Sequence, residues 1–156
     1  MKRCKSWLTA WLAIGMIALL SGCTSTPQAS PQADAMAKEF LSHPSAATVY
    51  VYRSPFNIYD FDSVLYLNGR LMGGTLPGTF FRIDTVPGRN VIHGSGIDVG
   101  QIAIDARAGE IYFVSLEVVS GHSRFTVVSD EVGRDSVRAC CALLENWSPG
   151  QRPLLR

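Results

Sequence analysis

The nine residues Ile111-Tyr-Phe-Val-Ser-Leu-Glu-Val-Val119 decide how this chain is read. Tyr112, Val114, Leu116 and Val118 fall on one side of an extended backbone, with Ser115 and Glu117 on the other. Side chains alternate across a strand, so this period of two indicates a half-buried β-strand and not a helix. Ala108-Gly109 turns the chain into it, and Gly121-His122 turns it back into a further strand from Arg124 to Val128. The same texture runs upstream. Thr48-Val-Tyr-Val-Tyr52 sets Val49 and Val51 on one face and Tyr50 and Tyr52 on the other. Ser63 to Leu67 ends at Asn68-Gly69, the strongest short hairpin signal there is. Arg70 to Met72 starts the return strand, which Gly73-Gly74 is expected to break. Thr79 to Asp84 closes at Val86-Pro87-Gly88, where proline presets φ and glycine accepts a positive one. Asn90 to His93 and Gln101 to Asp105 flank the glycine-rich Gly94-Ser-Gly96.

About seven short strands punctuated by regular turns predict a mainly β fold, an antiparallel β-sandwich of immunoglobulin or transthyretin type. No intervening helix has the length of a crossover, which argues against a parallel α/β sheet. Two helices frame the strands. Ala33, Met36, Ala37, Phe40 and Leu41 recur at helical spacing between Ser30-Pro31 and His43-Pro44, a short helix read as packing on the domain and not in lipid. Val137, Cys140, Cys141 and Leu144 fall at i, i+3, i+4 and i+7 and predict one apolar face of a C-terminal helix laid on the sandwich.

The 156 residues make one domain's worth of chain, and 47% hydrophobic with 17% charged residues excludes a disordered chain, a coiled coil or a collagen repeat. Fourteen basic against thirteen acidic side chains give +1, no excess that would point to nucleic acid.

The N-terminus speaks to compartment. Lys2, Arg3 and Lys5 precede an apolar run from Trp7 to Leu20, too short for a spanning helix and of the form of a secretory signal. It ends in Leu20-Ser-Gly-Cys23, which resembles the lipobox of bacterial lipoproteins. That resemblance implies cleavage before Cys23, a diacylglyceryl group on its thiol and a palmitoylated amine. Thr24, in place of a retaining aspartate, implies an outer membrane location facing the periplasm in a Gram-negative cell. Two or three acyl chains hold a protein stably, so the domain needs no membrane-binding surface of its own. Cleavage would leave 11 basic against 13 acidic side chains, a faintly acidic body not suited to anionic head groups. The expected organisation is a signal peptide over 1–22, a lipidated tether with the short helix over 23–46, the sandwich and closing helix over 47–145, and a flexible tail over 146–156. Thr24 to Gln32, rich in Thr, Ser, Pro, Gln and Ala, reads as spacer between lipid and domain.

Three segments carry a family resemblance: Ala47-Thr-Val-Tyr-Val-Tyr-Arg53, Gly78-Thr-Phe-Phe-Arg-Ile-Asp-Thr-Val-Pro-Gly-Arg-Asn-Val-Ile-His-Gly94 and Ala108-Gly-Glu-Ile-Tyr-Phe-Val114. With them the chain resembles the bacterial lipoproteins grouped as domain of unknown function 2846. The resemblance implies a sandwich on a lipid tether and brings no catalytic residue.

Reactive constellations are sparse. Gly121-His-Ser-Arg-Phe125 departs from G-x-S-x-G at its last position and lies in a hairpin, not on a strand-to-helix elbow. His43, His93 and His122 are scattered, and no metal set or cofactor motif is expected. Adjacent Cys140 and Cys141 read as core packing, with a vicinal disulfide as the alternative. Asp60 and Asp62, or Asp98 and Asp105, read as solvated loop acids. The aromatic-rich stretch is the stronger lead. Arg53, Phe56, Tyr59 and Phe61 form a candidate binding patch on a loop beside Tyr50 and Tyr52, with a loop folded over the sandwich end as the alternative. The leading expectation is a non-enzymatic, lipid-anchored interaction module with an envelope protein partner. A small-molecule or glycan module using the same aromatics is the second, and an enzyme built on converging His93, His122, Asp98 or Asp105 the third.

Overall fold

A computed structural model describes residues 26–56, 63–94 and 100–146. The chain is mainly β: two sheets face each other and two helices cover the outside of one of them. In chain order the elements are α1 (Pro31–Ala37), β1 (Ala47–Arg53), β2 (Ser63–Leu67), β3 (Arg70–Thr75), β4 (Thr79–Thr85), β5 (Gly88–His93), β6 (Gln101–Ala106), β7 (Ile111–Val119), β8 (His122–Val128), α2 (Asp130–Cys140) and β9 (Ala142–Leu143). One sheet runs β8-β7-β1-β4-β9 and the other β3-β2-β5-β6.

Among the described residues there are nine strands against the expected seven or so, and the larger sheet is mixed: β1 lies parallel to β7, and β4 parallel to β9. The physical reason is visible in β1, every residue of which is buried. A strand covered on both faces can take a parallel partner from far along the chain, and its alternation of Val with Tyr marks two different buried layers. Val49 and Val51 join Val114, Leu116, Val118, Phe81 and Ile83 against Leu65, Leu67, Met72, Ile92 and Ile104 of the facing sheet. Tyr50 and Tyr52 join Phe80 and Phe113 beneath the helices.

The Asn68-Gly69 hairpin forms as read, with φ of 52° and 74°, the two positive values that a two-residue turn of matching twist requires. Asn68 and the fully buried Asn90 then fasten this turn to Val86–Gly88. Asn90 accepts from Asn68 Nδ2 at 2.8 Å and Thr85 Oγ1 at 2.6 Å, and donates to the carbonyls of Val86 and Gly88.

Further expectations are corrected. Gly73-Gly74 does not break β3, which continues to Thr75. A Cβ at Gly73 would lie 2.9 Å from Phe81 Cζ and 3.1 Å from Thr26 Cγ2, so glycine here makes room for two side chains. The C-terminal helix stops at Cys140: Cys141 is extended and Leu144 reaches the inter-sheet core from an isolated bridge just past β9, not from a helix face. Residues 26–29, assigned to the spacer, are part of the fold. Thr26 is buried, accepts from Gly74 N at 2.7 Å and donates to Gly74 O at 2.9 Å. Ala29 N donates to Leu143 O, and Pro27 O accepts from Glu145 N, both at 2.9 Å. Main-chain pairing to an edge strand depends little on side-chain type, which is why a Thr/Pro/Gln composition conceals it.

The short helix also ends earlier than His43-Pro44. Ser30 caps it as expected, accepting from Ala33 N, but helical backbone stops after Ala37 and Phe40 turns into positive φ. That turn sends the Phe40 ring into the layer formed by Tyr50 and Phe113.

Candidate functional site

The candidate patch is divided by the structure. Arg53, at the end of β1, is 2% exposed, with Nη1 3.4 Å from Thr75 O, so its guanidinium is withdrawn from the surface. Phe56, three residues on, is 88% exposed. Tyr59 and Phe61 lie outside the described residues, as does Cys23. Tyr50 and Tyr52, expected beside the patch, are buried in the aromatic layer.

The remaining reactive side chains do not converge among the described residues. His93 stacks flat on Tyr66, ring centroids 4.9 Å apart, with Nδ1 2.7 Å from Gly94 O. His122 opens β8 on the surface, and Asp105 sits opposite Arg89 on an exposed strand face. Asp98 lies outside the described residues. The Ser123 hydroxyl is buried and meets that of Ser63 at 2.8 Å, which places it inside the molecule and not at the mouth of a hairpin. Among the described residues no three His, Cys, Asp or Glu side chains group as metal ligands. Cys140 and Cys141 are joined by a disulfide and both pack in the aromatic layer, so the two readings of that pair hold together.

The structure also holds a concavity that the sequence did not announce. Between α1 and β9 runs a groove of about 630 Å³, lined by Ala29, Ala33, Met36, Leu41 and Leu143 with Arg82 and Asn146 at its polar side. Small residues at 29, 33 and 37 create the space, and a single carboxylate fixes its wall. Asp34 binds Lys38 Nζ through Oδ2 and accepts from Leu143 N through Oδ1, each at 2.8 Å, tying helix to strand. Arg82 donates to Leu41 O at 3.2 Å and pairs with Asp84 at 3.1 Å, and Asn146 Nδ2 donates to Arg82 O. Beneath the groove, Tyr50 donates to Ala37 O at 2.7 Å. Burial holds that phenol above its ordinary 10.0, against the opposing pull of nearby Arg82. The spacing of Ala29, Ala33 and Ala37 was the available signal. It was obscured because a spacer reading covered Ala29.

Among known proteins, the chain is similar to an uncharacterized protein of Haemophilus influenzae, 28% identical over 130 residues that make up 80% of this chain and 77% of that one. No family model matches the chain. No solved structure matches it.

Proposed function

We propose that this protein is a lipid-anchored lipoprotein of the bacterial cell envelope, related to the domain of unknown function 2846 group. Its immunoglobulin- or transthyretin-like sandwich is a non-catalytic module that recognises an envelope protein. The observation that carries the reading is Phe56. Every other described ring of the neighbouring strands β1 and β4 is buried, yet this one stands 88% exposed just beyond β1. A rigid aromatic presented on a scaffold loop is the side-chain type that anchors protein interfaces. The Leu20-Ser-Gly-Cys23 motif supports the anchor, since thiol acylation there would hold the sandwich at a membrane.

The test is photocrosslinking in intact cells from a photoreactive phenylalanine at position 56, with the same group at Val127 as reference. A discrete adduct from position 56, lost with the crosslinker at 127, supports the module. Capture of the same abundant proteins from both positions overturns it. The anchor is tested separately: Cys23→Ala is expected to abolish palmitate labelling and to release the protein from the membrane fraction.

One observation favours a second reading, a module for a small amphipathic molecule. The groove between α1 and β9 has the size and the mixed lining of a ligand site, apolar with a few polar groups at one side. Titrating a fatty acid against the soluble Cys23→Ala chain separates the two readings.

A further inference from the structure

We infer that the flank formed by residues 26–29, α1 and β9 is held against the bilayer, with Met36 and Leu41 in contact with lipid. The inference rests on acylation of Cys23. Its argument is one of length. Thr26 is buried against Gly74 and Phe81, and three peptide units separate it from the acylated residue. Three residues span at most ~11 Å when fully extended. A spacer ending at Gln32 would have let the domain roam well away from the membrane, but a tether this short brings the anchored flank to the interface.

What that flank presents fits the contact. Residues 26–29 lead straight into α1, whose N-cap is Ser30. Met36 and Leu41, on the rim of the groove, are 68% and 64% exposed, while Ala37 and Phe40 between them are buried. Two large apolar side chains left out side by side on a helix and the turn after it suit the apolar edge of an interface. Charge does not draw the flank down: Lys38 and Arg82 are set against Asp34, Glu39 and Glu145. The attraction is apolar contact made intramolecular by the anchor, so it is insensitive to salt. This surface was not expected from the sequence, where the helix reads as packing on the domain and not in lipid and the domain as needing no membrane-binding surface.

The full-length chain, processed and acylated in a bacterial host, is reconstituted into vesicles of phosphatidylethanolamine and phosphatidylglycerol with a fraction of bromine-labelled acyl chains. Trp147 is the one tryptophan downstream of Cys23, so Met36→Trp with Trp147→Phe leaves a single reporter. Val127→Trp on the same background is the reference. Val127 is exposed on β8, at the opposite edge of the sheet from β9 and four strand spacings away, roughly 19 Å. Bromolipid quenching is expected to be at least twofold stronger from position 36 than from 127. A ten-residue Gly/Ser insertion between Ser25 and Thr26 should bring the two to the same level. Equal quenching without the insertion, in protein that carries palmitate and sediments with vesicles, overturns the inference and leaves the anchor standing. Absence of palmitate on Cys23 overturns both. An indole at position 36 already shielded in the soluble Cys23→Ala chain means that residues 147–156 or a second copy cover the flank, and overturns the inference as well.

Discussion

The two faces of the five-stranded sheet are buried by different physics. The inner face is aliphatic apart from Phe81, with Val49, Val51, Val114, Leu116 and Val118, and meets a second sheet whose Leu65, Leu67, Ile92 and Ile104 follow the same period. The outer face is aromatic, Tyr50, Tyr52, Phe80 and Phe113, and meets two helices that begin and end under local control. Phe40, Tyr50 and Phe113 lie with ring centroids 5.1 to 5.6 Å apart. Arg134 and Arg138 of α2 sit over the Phe40 ring at 5.0 and 4.8 Å. Sheet-on-sheet packing tolerates exchange among branched aliphatics, whereas the aromatic layer depends on ring geometry, on cations over ring faces and on one close helix approach. The interior of the sandwich therefore supplies stability, and the outer layer sets where α1, and with it the groove, is placed.

Removing volume from each face tests that division most strongly. Phe113→Ala deletes a fully buried ring and is expected to cost about 4 kcal/mol in urea unfolding, against about 2 kcal/mol for Val114→Ala, its neighbour on the inner face. Hydrogen exchange should separate them further. Phe113→Ala should speed exchange in α1 and residues 38–40 ahead of the strands, while Val114→Ala loosens the sheets together. Equal costs with uniform exchange would merge the two layers into one core.

The contrast also explains what the sequence could convey. Period-two alternation writes the inner face directly where a strand contributes Val, Leu or Ile at every second position; Ile111 to Val119 and Thr48 to Tyr52 are legible for that reason. Hairpin turns were legible where they need positive φ, as at Asn68-Gly69. Strand partnership was not, since a strand buried on both faces reads the same whether its neighbour is parallel or antiparallel. The end of α2 was hidden by coincidence. Cys141 and Leu144 stand at helical spacing from Val137, yet the chain becomes extended at Cys141 and Leu144 pairs with Gln28. The groove was hidden by composition, because main-chain pairing of residues 27–29 leaves no pattern in side chains. Of the candidate patch, Arg53 is buried, which its charge does not announce. An arginine ending a buried strand can hydrogen-bond to carbonyls inside, and charge alone does not report it.

A sharper probe of the outer layer is Gly133, buried in α2 against Phe113. Alanine is the better helix former by about 1 kcal/mol, so Gly133→Ala would stabilise an α2 that merely covered the sheet. Here an added Cβ would overlap the ring and Cβ of Phe113, and neither can retreat without moving β7. The expected result is a net loss of about 3 kcal/mol with α2 displaced from the sheet. A variant as stable as the parent would mean that the helix rides higher than this packing requires. Pairing Gly133→Ala with Phe113→Ala should recover part of the loss, because the two changes share one contact.

The smallest effect isolates the polar handle of the outer layer. Tyr50→Phe keeps the ring and removes only the 2.7 Å bond from Oη to Ala37 O, at a cost of about 1 kcal/mol near neutral pH. Its pH dependence carries a sign. Burial raises the phenol above 10.0 in the folded chain, so the native state keeps its proton where the unfolded state releases it. That contribution is complete below pH 10.0 and is lost as pH climbs from there through the folded value. The phenylalanine variant has no such proton, so the stability gap between parent and variant should shrink above pH 10.0, measured by urea unfolding at matched ionic strength. Val114→Ala, on the inner face, leaves the Tyr50 hydroxyl in place and should keep the same gap from its parent across that range. A constant gap for Tyr50→Phe would place its hydroxyl in water, detach α1 from the aromatic layer and erase the distinction between the two faces.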